Sequence, residues 1–305
     1  MKVLIMAAGS VGSYFGSLLL NDHEVSFVAR GNHLEAIKQN GLKIISKSTG
    51  NKTFKINVFE KPPKNYQADL VLFSIKSYQN ESSIPIIEKV LSKTTQILSI
   101  QNGIGSQEFL SNHFGVNHVI PGATYIDATK ISPGVIKEFG GNPKIVFGGT
   151  SKQNELVNSI FQNTEINFEI SNNIQENLWK KLIYISALSG ISCLLQQEFK
   201  LILSEQKSKK LVSSVLQESL SVANAMDMNI SSEIVKNIMG EFEKNSSNLI
   251  SSMYEDLKSN NLTEIEVING AVSKLGKQMK VKTPINDIIT TCLQLHNQKI
   301  SIIKR

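Results

Sequence analysis

The sequence predicts an α/β protein in two parts: a doubly wound sheet first, then an all-helical C-terminal domain. Three observations predict it. The chain opens on an apolar run, a glycine turn, an apolar helix pattern and a second strand pattern within about 30 residues. Short apolar runs then alternate with helical patterns as far as residue 170, as parallel strands and crossover helices do. From Ser171 onward only helical patterns remain.

Val3–Met6 is a short apolar run of the kind a strand covered on both faces needs. It leads into Ala7-Ala8-Gly9-Ser10-Val11-Gly12, after which Tyr14, Phe15, Leu18 and Leu19 recur at helical spacing, and Glu24–Ala29 reads as the second strand. This is the opening unit of a Rossmann-type dinucleotide-binding domain. A pyrophosphate sits at a helix N-terminus because unpaired N–H groups and the helix dipole favour an anion there. Gly9 lets the backbone approach the phosphate, and Gly12 lets the helix lie close to the strand. Ala7 stands where the usual G-x-G-x-x-G has its first glycine. About 20 residues on, NAD enzymes place Asp or Glu for the ribose 2′-OH. This chain has Ala29-Arg30-Gly31-Asn32 instead. Arginine pairs with a 2′-phosphate, so the expected cofactor is NADPH, with Gly9 and Gly12 shaping its phosphate turn and Arg30 at the 2′-phosphate.

The rest of the first domain follows in order. A short helix runs from Gly31-Asn32-His33-Leu34 to Asn40-Gly41. Leu42–Ile45 and Phe54–Val58 alternate like a hairpin around a Ser48–Lys52 loop. Asp69–Ser74, Gln96–Ile100 and Val119–Tyr125 read as further strands, and Ile84–Leu91 as a helix. Val135–Glu138 and Lys144–Phe147 read as antiparallel additions, and Ile166–Phe168 as the last strand. Asn173 with Glu176 then starts the helical part. Its expected helices are Ile174–Cys193, Glu205–Asp227, Glu233–Asn245, Ser247–Leu257, Thr263–Lys277 and Pro284–Lys299. Thr263 with Glu266 reads as a capping box, and Thr283-Pro284 as an N-cap followed by proline at the first helical position. The expected domains are therefore residues 1–170 and 171–305. Ligands of open α/β sheets bind beyond the carboxyl ends of the strands. A helical domain facing that edge would close a cleft over the cofactor.

Composition narrows the function classes. The 305 residues are 41% hydrophobic and 19% charged, with a net charge of +6. The lysines are spread along the chain, without the basic patch that nucleic-acid binding needs. Cys193 and Cys292 lie far apart in apolar helical contexts, so neither a disulfide framework nor a metal site is expected. Met1 leads directly into a strand, and no stretch reaches 18 apolar residues, which argues against a signal peptide and a membrane span. A reducing cytoplasm is the expected location.

Several side chains could do chemistry. Lys76 ends one strand in a cation and Asn102 follows the next with a carboxamide, both at the edge where a nicotinamide and its substrate would lie. Read alone, Lys76 could equally be an exposed loop lysine and Asn102-Gly103 a simple turn. Lys181, Ile185 and Ser189 recur at i, i+4 and i+8 and share one helix face. A lysine at the head of such an apolar face loses hydration, and its pKa moves toward the range of a general acid. The competing reading is a lysine whose stem lies on apolar surface while its head stays in water. Glu264 falls in the first turn of its expected helix, where a carboxylate is favoured for structural reasons alone.

Taken in order, Arg30-Gly31-Asn32-His33-Leu34, the Lys76 strand end, Gln101-Asn102-Gly103-Ile104-Gly105, Leu178-Trp179-Lys180-Lys181, Ser251-Ser252-Met253 through Asp256, and Thr263-Glu264-Ile265-Glu266-Val267-Ile268-Asn269-Gly270 resemble the ketopantoate reductase (2-dehydropantoate 2-reductase) family. The resemblance covers the whole chain. It implies NADPH-dependent reduction of 2-dehydropantoate to (R)-pantoate, a step toward pantothenate and coenzyme A. It also implies roles. Gly9 to Gly12 and Arg30 hold the NADPH phosphates, with Ala128 in the cofactor-binding set. Lys76 and Asn102 lie near the nicotinamide half and the substrate. Lys181 donates the proton, Ser189 and Ser252 touch the substrate, and Glu264 contacts the cofactor side and positions the lysine.

The chain departs from the family pattern on the substrate side. Ile185 and Ser189 stand where asparagines are usual one and two turns beyond the lysine, and Gln196-Gln197-Glu198-Phe199-Lys200 stands where a Pro-x-Gly element is usual. Losing a polar partner of a buried substrate group costs ~1–3 kcal/mol. Two further readings follow: an NADPH-dependent reductase of another 2-oxo acid or ketone, and a non-catalytic NADPH-binding sensor. The partner expected is a small 2-oxo acid, with no metal, nucleic acid or membrane. The apolar helices would suit a homodimer, which the resemblance favours, or a monomer.

Overall fold

The computed structural model describes residues 1–246 and 249–303. The chain forms two compact units: residues 1–101 with 106–174, and residues 102–105 with those from 175 onward. The boundary lies four residues beyond the one the composition marks. The short loop Asn102–Gly105 leaves the first unit because it is bonded to the second, as described below.

The first unit runs β1 (Lys2–Met6), α1 (Ser10–Ser17), β2 (Glu24–Val28), α2 (Gly31–Asn40), β3 (Leu42–Ser46), β4 (Lys52–Phe54), β5 (Asn57–Phe59), β6 (Leu70–Phe73), α3 (Asn80–Glu88), β7 (Gln96–Ser99), α4 (Ser106–Phe114), β8 (Val119–Tyr125), β9 (Ala128–Ser132), β10 (Val135–Glu138), β11 (Lys144–Phe147), α5 (Ser151–Phe161) and β12 (Asn167–Ile170). Eight strands form the main sheet in the order β12-β11-β8-β7-β6-β1-β2-β5, and β4-β3-β10-β9 form a second sheet. β1 is the pivot. It pairs in parallel with β2 on one side and β6 on the other, so the winding direction reverses there. Its side chains alternate between two cores. Val3 and Ile5 pack with Phe15 and Phe27, while Leu4 and Met6 pack with Val71 and Phe73. Both faces are covered, which is why the run reads as continuously apolar.

Three parts of this unit differ from the sequence reading. The hairpin forms, with Leu42 opposite Phe54. The chain after Phe54, however, becomes a separate strand that joins the main sheet parallel to β2. Asn57 Nδ2 donates to Ser26 Oγ there at 2.8 Å, and Val58 turns toward the core. β10 adds to the second sheet rather than the first: it is antiparallel to β9 and parallel to β3. β11 is antiparallel to β8, as expected. The helices α4 and α5 are additional. α5 opens on a capping box in which Thr150 and Gln153 exchange hydrogen bonds, a Thr-x-x-Gln signal that the sequence carries openly.

The second unit is helical: α6 (Ile174–Leu195), α7 (Phe199–Ser204), α8 (Gln206–Ala225), α9 (Glu233–Asn245), α10 (Ser252–Lys258), α11 (Asn269–Met279) and α12 (Pro284–Ile303). Trp179, Leu182, Ile183, Leu216, Phe242, Val272 and Ile289 build its core. With 22 residues and a mean hydropathy of 1.3 over its most apolar window, α6 is long and apolar enough to cross a membrane; 61% of that window is buried inside the protein, as in a core helix. α12 begins at Pro284 as expected, and Glu218 on α8 accepts from the backbone N–H groups of Ile285 and Asn286, both at 3.0 Å.

Two helix expectations need correction. Of the Ser247–Leu257 helix, Ser247 and Asn248 lie outside the described residues, and the helix starts at Ser252, with Ser251 Oγ accepting from Tyr254 N at 3.1 Å. The Thr263–Lys277 helix is broken into a 3-10 turn, Ile265–Val267, followed by α11. Thr263 does not cap it. Thr263 is buried and bonded to Asn297 of α12: its N–H and Oγ1 donate to Oδ1 at 2.8 and 3.1 Å, and its carbonyl accepts from Nδ2 at 3.0 Å. A tertiary partner has outcompeted the local cap. Glu266 accepts from Gln294 instead.

Candidate active site

In the first unit the carboxyl ends of β1, β6 and β7 lie in register, with Met6 opposite Phe73 and Phe73 opposite Ser99. The glycine loop follows the first of these strands. Gly9 is the N-cap of α1 in extended conformation, and no side chain caps that helix. A Cβ at Gly9 would meet nothing within 4 Å, so the loop faces open space there. Gly12 is the opposite case. A Cβ there would fall 2.2 Å from the Ala7 carbonyl oxygen and 2.4 Å from Ser74 Oγ, so only glycine allows this approach of helix to strand. The Ala7 carbonyl accepts from Gly9 N at 2.8 Å and Ser74 Oγ at 3.2 Å, which closes the turn without the first glycine.

Arg30 follows β2 by two residues, is exposed, and forms the N-cap of α2. Lys76 follows β6, partly buried, at the N-cap of the 3-10 turn Ser77–Gln79. Ala128 opens β9 opposite Glu138, in the four-stranded sheet and not at these strand ends. Gln101, absent from the sequence-predicted set, joins two of the strand exits. Its Nε2 donates to Ile75 O and to Asn80 Oδ1, both at 2.8 Å. The apolar run before Gln101 announced a strand end, but nothing in the run announced this cross-link.

The remaining candidates belong to the second unit. Lys181 lies on α6, partly buried, between Trp179 and Leu182 of the core. Burial pulls its pKa down to about 8, and the negative charge of Glu264 acts against that fall. Glu264 is itself 5% exposed. It heads the 3-10 turn Ile265–Val267 rather than the first turn of a helix, and α11 begins five residues later. So the carboxylate is placed by the Thr263–Asn297 lock on one side and the tight turn on the other, not by a helix dipole.

Asn102 sits on a loop pinned to that same turn. Ile104 N donates to Val267 O at 3.1 Å. Gly103 has φ +80°, and a Cβ there would fall 2.1 Å from the Val267 carbonyl oxygen. Any side chain would push the loop off the turn, so glycine is required after Asn102 for two reasons at once. Ser189 is buried on the Lys181 face of α6, eight residues on, or about 12 Å along the helix. Ile185 between them packs against the helical core. Ser252 is the exposed first residue of α10. Lys181 and Glu264 are thus brought together, with the Asn102 loop fixed to the turn after Glu264.

The family model described as Ketopantoate reductase PanE/ApbA matches residues 3–152, and its C-terminal counterpart matches residues 173–297. The chain belongs to the ketopantoate reductase PanE/ApbA family. Membership makes it an oxidoreductase. A 2-dehydropantoate 2-reductase of Pyrococcus abyssi is 30% identical over 290 residues, 94% of each chain. The crystal structure of a PanE/ApbA family ketopantoate reductase from Ralstonia eutropha JMP134 matches with 27% identity and a TM-score of 0.90, over 99% of this chain and 100% of that one. The ternary structure of D-mandelate dehydrogenase with NADH and anilino(oxo)acetate matches with 25% identity and a TM-score of 0.89, over 99% of both chains. The α/β fold with a helical C-terminal part is therefore that of ketopantoate reductases, as the sequence predicts.

Proposed function

We propose that this family member reduces 2-dehydropantoate to (R)-pantoate with NADPH, in the cytoplasm, on the route to pantothenate and coenzyme A. The observation that carries the reading is Lys181, an ammonium with its pKa brought down to about 8 by burial and partnered by the buried Glu264.

The first unit suits a phosphorylated dinucleotide. Open space over Gly9 and an uncapped α1 N-terminus would take the pyrophosphate, with the amides of Ser10, Val11 and Gly12 turned to it. The exposed Arg30 guanidinium would pair with the 2′-phosphate, and no carboxylate competes at that strand end. Lys76 would complete the cofactor side, whereas Ala128, in the four-stranded sheet, lies away from these strand ends.

Bound NADPH supplies the hydride for the 2-keto carbon. Lys181 Nζ holds the proton that the carbonyl oxygen takes up as negative charge develops on it. That charge is absent in the ground state, so an ammonium fixed there favours the transition state over the substrate. Glu264 keeps the lysine protonated against burial and orients it. Asn102, Ser189 and Ser252 supply polar contacts to the substrate.

A second reading has its own support. Ile185 and Ser189 occupy positions where the family usually grips the substrate with asparagines, and a D-mandelate dehydrogenase is among the structures this chain resembles. A less polar 2-oxo acid would suit an isoleucine there. A spectrophotometric assay of NADPH oxidation over a panel of 2-oxo acids decides. Turnover confined to 2-dehydropantoate is the expected result. Turnover only of other 2-oxo acids selects the second reading, and tight NADPH binding with no turnover of any would make the chain a sensor.

A further inference from the structure

The glycine loop carries a device that the cofactor motif does not describe. An anion site built from backbone amides needs the neighbouring carbonyls aimed elsewhere, because a carbonyl oxygen turned toward a phosphate repels it. The three carbonyls entering this loop are all engaged. Met6 O accepts from Ser74 N at 2.6 Å, Ala7 O accepts from Gly9 N and Ser74 Oγ, and Ala8 O accepts from His33 Nε2 at 2.7 Å. The first two partners lie within the loop or on the adjacent strand exit. The third comes from the first turn of α2.

The His33 ring is held at both nitrogens. Gly134 N, in the turn between β9 and β10, donates to His33 Nδ1 at 2.9 Å. A backbone N–H can only donate, so Nδ1 is the acceptor and Nε2 carries the hydrogen. One neutral tautomer satisfies both contacts. Burial holds the imidazole pKa below its ordinary value; the bond to the Ala8 carbonyl acts against that fall, and the charge of Lys130 on β9 acts with it. The peptide unit between Ala8 and Gly9 is planar, so fixing its oxygen also fixes the direction of the Gly9 N–H.

We propose that His33 is a positioning residue for the cofactor: its neutral imidazole clamps the Ala8–Gly9 peptide so that the phosphate-binding loop presents no free carbonyl to the pyrophosphate. This rests on the reading that the first unit holds NADPH. It adds a residue whose partners lie 25 and 101 positions away and whose two ring nitrogens are both engaged by backbone groups.

Two conservative variants separate clamping from mere structural support. The Gln amide nitrogen in His33→Gln reaches as far as Nε2 and can still donate to Ala8 O. The Asn amide oxygen in His33→Asn reproduces the Nδ1 acceptor for Gly134 but stops short of Ala8. NADPH affinity of the full chain is measured by fluorescence titration, with thermal midpoints recorded alongside. Expected is a loss of about tenfold in His33→Asn and His33→Leu, the worth of one hydrogen bond, against about threefold or less in His33→Gln. Equal affinity in His33→Asn and His33→Gln overturns the clamp, whatever happens to the thermal midpoints, and the pair decides even if His33→Leu does not fold. Wild-type protein that binds no NADPH overturns the functional reading and the clamp with it.

Discussion

At the scale of single residues the proposed chemistry rests on Lys181, and its environment makes a pH prediction with a definite sign. A proton donor works only while it holds its proton. Burial brings the Lys181 pKa to about 8, so kcat/KM for carbonyl reduction should fall as pH rises through about 8. Glu264 opposes the fall in pKa, so Glu264→Gln should move this alkaline limb to lower pH and reduce the rate at neutral pH. A pH–rate profile in which the limb stays in place would remove Glu264 from the role. Arg30 makes a second residue-scale prediction. Arg30→Ala should weaken NADPH by about tenfold or more while leaving NADH little changed, because on the proposed reading it removes a charge-assisted bond to the 2′-phosphate alone. Titration with both nucleotides checks it.

The same scale shows which site residues were legible in the sequence. Lys181 could be found because i, i+4 and i+8 place it at the head of one helix face. The carboxylate beside it was reached only through the family resemblance, not from its own pattern. Glu264 looked like a first-turn acid because the pairing of Thr263 with Asn297, 34 residues away, has no local signature. His33 and Gln101 were hidden for the same reason: each bonds backbone groups of other elements. Ile185 and Ser189 were readable as departures, since their helix and their spacing from Lys181 are local properties.

At the scale of elements, close approach of α1 to β1 defines the glycine loop proposed to hold the cofactor. Gly12→Ala would drive a methyl into the Ala7 carbonyl and Ser74 Oγ. It should lower stability by ~1–3 kcal/mol, as overpacking does, and weaken NADPH because the loop must move. Thermal denaturation and nucleotide titration on the same variant test both parts. Strands covered on both faces, such as β1 and β6, were easy to read because burial demands an unbroken apolar run. β5 was not, since three residues after a hairpin turn carry no information about which sheet they join. Likewise Thr150–Gln153 and Thr263–Glu266 have equivalent patterns, yet only the first forms a capping box. The second loses to Asn297, which offers Thr263 three hydrogen bonds where a cap would offer fewer.

For the whole molecule, the composition change near Ser171 marked the division into two units, and the family match spans both. The proposed labour divides in the same way. Groups that would hold the nucleotide belong to the first unit, and the proton donor with its carboxylate belongs to the second. Cofactor affinity and proton delivery should therefore be separable by mutation. The most direct measurement is single-turnover reduction of 2-dehydropantoate by NADPH-loaded wild-type and Lys181→Ala protein, with NADPH affinity measured on both. The expected result is a loss of roughly 10²–10⁴-fold in the reduction step with nucleotide affinity unchanged. Reduction by Lys181→Ala at close to the wild-type rate would contradict the assignment of Lys181 as the proton donor.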